Sequence, residues 1–162
     1  MNHIRTTSRT RRAVLAVFLG AALVAALAGT AGSSSGAVVT SGAFRAFAAG
    51  TGMDISGRAH MVRTADGRTI VAIQVQGLNP NTTYGSHVHA AACAVGDADG
   101  HFKFDPAGPP APPNEIWPGP FTTNPAGIGK GFTIGEGTAG PTAVSVVVHA
   151  PGGAKIACAD LS

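Results

Sequence analysis

Among the 162 residues, the side chains best suited to chemistry are histidines. Beyond the N-terminal segment these are His60, His87, His89, His101 and His149. His87-Val88-His89 has the most telling spacing. On a strand, residues i and i+2 face the same side, so both imidazoles aim at one point and form a two-toothed grip on a metal. Gly85 and Ser86 before the pair, and Ala90 to Ala92 after it, leave such a site sterically open. His149 closes a valine-rich run, where a histidine is either a solvated edge residue or a ligand. His101 follows the Asp97-Ala98-Asp99-Gly100 turn and, taken alone, is a loop histidine. His60, among Arg58, Arg63 and Asp66, reads as solvent-facing. Three strand-borne imidazoles and one from a loop make an all-nitrogen donor set. Imidazole suits copper and zinc and disfavours calcium and magnesium, and four nitrogens in a flattened array favour Cu(II).

The elements that must position these rings are short strands. With 23 Gly, 11 Pro and only 12% charged residues, the chain is a poor helix bundle or coiled coil. Arg68 to Gln76 alternates strictly, with Val71, Ile73 and Val75 on one face and Gln74 and Gln76 on the other. With Asp54 to Thr64 and the Ala65-Asp66-Gly67 turn it reads as a hairpin. Tyr84 to Ala90, Lys130 to Ile134, Thr142 to His149 and Ile156 to Leu161 are further strand candidates. No stretch after residue 28 carries a helical stripe. Many short strands with Gly-rich turns predict an antiparallel all-β sandwich or barrel. Asp105 to Pro120 holds seven of the eleven prolines, so it is expected to be a stiff, extended surface loop.

The N-terminus has a different character. Arg5, Arg9, Arg11 and Arg12 precede an uncharged apolar run from Ala13 to Ala28 that ends on Ala26-Leu27-Ala28. A basic start, an apolar middle and a small-residue end make a secretory signal over 1–28. The run is short for a membrane span, and Thr10 to Leu15 loosely fits a twin-arginine export pattern. Residues 29–42, rich in Gly, Ser, Ala and Thr, read as a flexible leader, with the domain at 43–162. Past residue 28 the chain holds seven Lys or Arg against eight Asp or Glu. Few aromatics and no basic excess exclude a nucleic-acid platform and an anionic membrane surface. Cys93 and Cys158 both lie in the exported part. Outside the cytosol such a pair closes a bridge, the alternative being two free thiols.

The order of these elements resembles the copper-zinc superoxide dismutase family. The resemblance rests on Gly77-Leu78-Asn79-Pro80, Gly85-Ser86-His87-Val88-His89, Cys93, Gly100-His101-Phe102, Val146-Val147-Val148-His149 and Lys155-Ile156-Ala157-Cys158, and spans residues 54 to 161. It implies a Greek-key β-sandwich closed into a flattened barrel. It also implies copper ligation by His87, His89 and His149, with His101 matching the ring that bridges copper and zinc. Cys93 and Cys158 match the family's internal disulfide. Lys155 stands where the family has an arginine that draws in superoxide. After His101 the only later histidine is His149, so the zinc ligands are missing and the zinc site is expected to be absent. The His149-to-Cys158 connection is also too short for the family's charged loop. Both departures resemble the family's copper-only branch. The expected activity is dismutation of superoxide to O₂ and hydrogen peroxide by Cu(II)/Cu(I) cycling, with His101 and Lys155 assisting. The alternatives are a copper-binding module without turnover and a metal-free sandwich. Oligomeric state is not legible in the sequence.

Overall fold

The computed structural model describes residues 36–162. The expected export signal and the first half of the expected leader, 29–35, lie outside the described residues. The fold is an all-β sandwich of two antiparallel sheets. The first contains β1 (Val38–Ala43), β3 (Ser56–Arg63), β4 (Thr69–Gln76) and β7 (Gly129–Gly135), in the spatial order β1-β3-β4-β7. The second contains β2 (Arg45–Ala46), β5 (Thr83–His89), β6 (Phe121–Thr122), β8 (Ser145–His149) and β9 (Lys155–Asp160), in the order β2-β9-β8-β5-β6. Among the described residues no helix is long and apolar enough to cross a membrane.

The alternation seen in the sequence places the core. Val71, Ile73 and Val75 of β4 and Met61 of β3 are buried, while Gln74 and Gln76 are exposed. They pack in one cluster with Tyr84 and Val88 of β5, Val146 and Val148 of β8, and Ile156 of β9. Full burial of side chains of this size stabilises by roughly 1.5–3 kcal/mol each. Every residue of β8 is buried, because its other face is covered as well. There Val147 and Cys158 meet Ala98, with Phe47 and Cys93 against them. The Cys93–Cys158 disulfide pins the loop after β5 onto this outer face, with Cα atoms 5.8 Å apart.

Three expectations need correction. The leader expected over 29–42 is in fact ordered from Val38, because β1 pairs along its whole length with β3. Gly42 is a packing requirement there rather than a linker residue: a Cβ on it would overlap the Asp160 carbonyl of β9. The Pro-rich segment does not simply cross the surface. Glu115 within it bridges to Lys103 just ahead of it, and the Val88 amide donates to the Ile116 carbonyl at 3.0 Å, which seats this stretch beside β5. Ile116 is 1% exposed. Proline forbids a regular strand, yet the non-proline residues between still complete the sheet edge. The β8 ladder also starts later than expected, at Ser145, after a turn in which the Ala143 amide donates to Gly140.

Candidate metal centre

The site is built on the outer face of the five-stranded sheet. His87 and His89 lie on β5, two residues apart, and project together as the pleat requires. β8 runs antiparallel beside them with Gly85 opposite His149, which places His149 diagonally across from His87. A register break between Val148 and His149 turns this end of β8. His101 arrives from the pinned loop. It forms a bridge with His89, and the Phe102 amide donates to Val88 at 2.9 Å while buried Phe102 anchors the segment in the core. Four rings more than 60 residues apart at their extremes are thereby gathered, with one ligand nitrogen of each within 4.8 Å of the others. His60 lies exposed on β3 and takes no part.

The hydrogen bonds of the rings fix which nitrogens face inward. His89 Nδ1 lies 3.2 Å from the Ala98 carbonyl and 3.1 Å from that of Asp99. His149 Nδ1 lies 3.0 Å from the Gly153 carbonyl. Carbonyls only accept, so each Nδ1 must donate, and in a neutral ring the lone pair is then on Nε2. His101 Nδ1 donates to Glu115 Oε2 at 2.7 Å, leaving its Nε2 bare as well. The His89 and His149 Nε2 atoms stand 3.3 Å apart. With both Nδ1 atoms protonated, that contact sets lone pair against lone pair and is no hydrogen bond between neutral rings. His87 Nδ1 is buried and has no partner at all. Converging lone pairs with no proton between them fit a cation.

Charge on the rings is disfavoured. Burial, reinforced by the neighbouring imidazoles, lowers His87 to about 3 and His89 to about 4. Burial also lowers His149, against the hydrogen bond to Gly153. Neutral imidazole is the ligand form. The donor set is nitrogen only, since both cysteines are tied in the disulfide.

Two residues outside the predicted set complete the surroundings. Glu115 is 3% exposed, and its Oε2 accepts from both His101 Nδ1 and Trp117 Nε1, each at 2.7 Å. The Trp117 ring covers His87 with centroids 4.8 Å apart. The signal for Glu115 is an acid followed by Ile116 and Trp117 within a proline-rich run, a place where a carboxylate is seldom left without a partner. Lys155, expected to serve as an anion-attracting cation, donates from Nζ to the carbonyls of Asp97 at 2.8 Å and Asp99 at 2.7 Å. Those carbonyls belong to a turn in which Asp97, Ala98 and Asp99 all have positive φ (52°, 66° and 47°), a strained run for residues with a Cβ. Asp99 thus serves two donors, Lys155 and His89.

An open cleft of about 480 Å³ reaches His87, His101 and His149 between Gly85, Pro120 and Gly152. No Asp, Glu, Lys or Arg lines it. A Cβ at Gly85 would lie 3.6 Å from His149 Cβ and 3.9 Å from the His87 ring, so a longer side chain there would fill the approach to the nitrogens. The arrangement can bind one ion through neutral nitrogens and leave it reachable by a small molecule. No family model matches the chain, and no curated protein is significantly similar to it.

Proposed function

We propose that this chain is an exported copper-dependent superoxide dismutase, and the observation that carries the proposal is the convergence of His87, His89, His101 and His149 on one point. Four imidazole nitrogens without thiolate or carboxylate suit copper better than zinc. The disulfide fits a non-reducing compartment, as the N-terminal sequence pattern also suggests. The two-sheet strand order accommodates the Greek-key arrangement expected from the resemblance.

Bound copper would supply the redox chemistry, in which one superoxide is oxidised to O₂ and a second is reduced and leaves with two protons as hydrogen peroxide. The protein's part is to hold, orient and deliver protons. The carbonyls of Ala98, Asp99 and Gly153 keep His89 and His149 in the tautomer that presents Nε2. His101 has a partly exposed side chain and reaches the cleft, so it is the ring placed to exchange a proton with solvent at Nε2. Glu115 holds its Nδ1 proton and supplies the counter-charge when both nitrogens carry protons. In the family that far nitrogen faces zinc; here the carboxylate takes the position. Lys155 brings a cation to the loop behind His89, with two of its three N–H groups engaged.

The neutral lining of the cleft favours a second reading, a copper-holding module without fast turnover. Superoxide decay separates the two. The copper-loaded protein should accelerate decay catalytically, and His149→Ala should abolish the acceleration. Copper retained without any acceleration would leave only the holding role, and failure to bind copper would remove both.

A further inference from the structure

Strand β7 is an edge of the four-stranded sheet with no hydrogen-bonded strand beyond it, although Phe121 and Pro118 pack against Gly129 and Gly131 in its first half. Its ladder runs to β4 alone, and among the described residues its remaining backbone groups make no other backbone hydrogen bond. Edge strands are commonly blunted by proline, a bulge or an inward charge, because a bare edge invites another strand. β7 has neither proline nor bulge, and its one charge, Lys130, points outward: its pairing with β4 is continuous from Thr69↔Gly135 to Val75↔Gly129. Its outward side chains are Lys130, Phe132 and Ile134, and exposed Glu136 stands in the bend immediately after the strand, so that its pairing would extend the ladder by one residue. Phe132 is 62% and Ile134 48% exposed, unusual values for such residues. Behind them on β4, half-buried Ala72 and Ile70 extend the apolar surface.

The run Lys130-Gly131-Phe132-Thr133-Ile134-Gly135-Glu136 is self-complementary about Thr133. Reversed and laid antiparallel on itself, it sets cation against anion and Phe against Ile. The glycines have a separate cause, at least at Gly131, where a Cβ would overlap the Pro118 carbonyl, so the charges and the apolar pair carry the argument. We propose that β7 pairs antiparallel with β7 of a second copy of this chain, the two-fold axis passing at Thr133 and the two four-stranded sheets joining into one. Lys130 then faces the partner's Glu136, and Phe132 faces the partner's Ile134, each pair occurring twice. Side chains directly opposite on an antiparallel pair lie roughly 4.5–5.5 Å apart at Cβ, close enough for both contacts. A one-residue slip would lose the charge pairing and set the apolar residues against other neighbours, so the register is specified. The histidine cleft lies on the other sheet and is left open by this pairing.

Sedimentation of the purified protein over a wide concentration range tests the proposal. A reversible dimer is expected, weakening with added salt. Lys130→Glu and Glu136→Lys each set like charges opposite one another twice per dimer, and each should raise the dissociation constant roughly ten-fold or more. The double variant K130E/E136K should restore the dimer, because the pairs are attractive again with their signs exchanged. All these positions are exposed, and circular dichroism verifies that the variants fold. A monomer at every concentration overturns the proposal. So does a dimer indifferent to the single reversals, or one that the double variant fails to restore.

Discussion

Acid should destabilise the metal-free protein through its buried rings. In an unfolded chain a histidine titrates near 6.5, whereas in the fold His87 is held at about 3 and His89 at about 4. Below pH 6.5 the unfolded state binds protons that the folded state refuses, so these rings impose no penalty above that pH and cost stability as pH falls toward the folded values. Each ring contributes about 1.4 kcal/mol per pH unit over that window. Over the two units down to about pH 4.5, fully buried His89 gives at most ~3 kcal/mol. His87 is partly exposed, and halving its share for solvent screening leaves roughly 3–4 kcal/mol for the pair. The assay is urea unfolding of the metal-free, disulfide-intact protein at about pH 7 and about pH 4.5, at fixed ionic strength. The double variant H87Q/H89Q removes both rings and isolates their effect from that of the carboxylates. Wild type should lose the calculated amount relative to this variant. Equal pH slopes for the two proteins would refute the claim that the rings are held neutral by burial.

Further predictions concern the supports of the rings. Glu115→Gln keeps the size but removes the charge that serves His101 and Trp117, and should weaken copper binding by roughly 10–100-fold. Trp117, the only tryptophan, lies against His87, so quenching of its fluorescence reports the titration; an unchanged affinity would exclude a supporting role for Glu115. Lys155→Met should weaken copper binding as well, through release of the Asp97 and Asp99 carbonyls, and should reduce both the superoxide rate and its salt dependence. Lys155→Arg should recover much of the loss, and a Met variant with wild-type affinity and rate would remove Lys155 from the account.

The parts of the fold legible in the sequence were those governed by local alternation. Val71, Ile73 and Val75 mark a half-buried strand on their own, and the valines before His149 mark a buried one. The missed parts depend on partners distant in the chain. Val38 to Gly42 has the composition of a linker and becomes a strand because β3 pairs with it and β9 passes beneath Gly42. At the site, the His-x-His spacing determines where two rings point, since the strand period alone aligns them. That His101 and His149 join them depends on the sheet pairing and on the loop anchored by the disulfide. Glu115 was hidden by its setting: proline content describes the backbone of that segment and says nothing of a carboxylate reaching a ring 14 residues earlier. Lys155 stands out in the sequence only through the family resemblance, whereas its two carbonyl partners follow only from the turn between Asp97 and Asp99.

The central claim is that four imidazoles hold one copper ion. Electron paramagnetic resonance of the protein loaded with one equivalent of Cu(II), with histidine labelled in nitrogen-15, reads the ligands directly. The account predicts a single tetragonal species coupled to four histidine nitrogens, with one coupling lost in each of the single variants His87→Gln, His89→Gln, His101→Gln and His149→Gln. A spectrum with fewer histidine nitrogens, or one that any of these variants leaves unchanged, would contradict it.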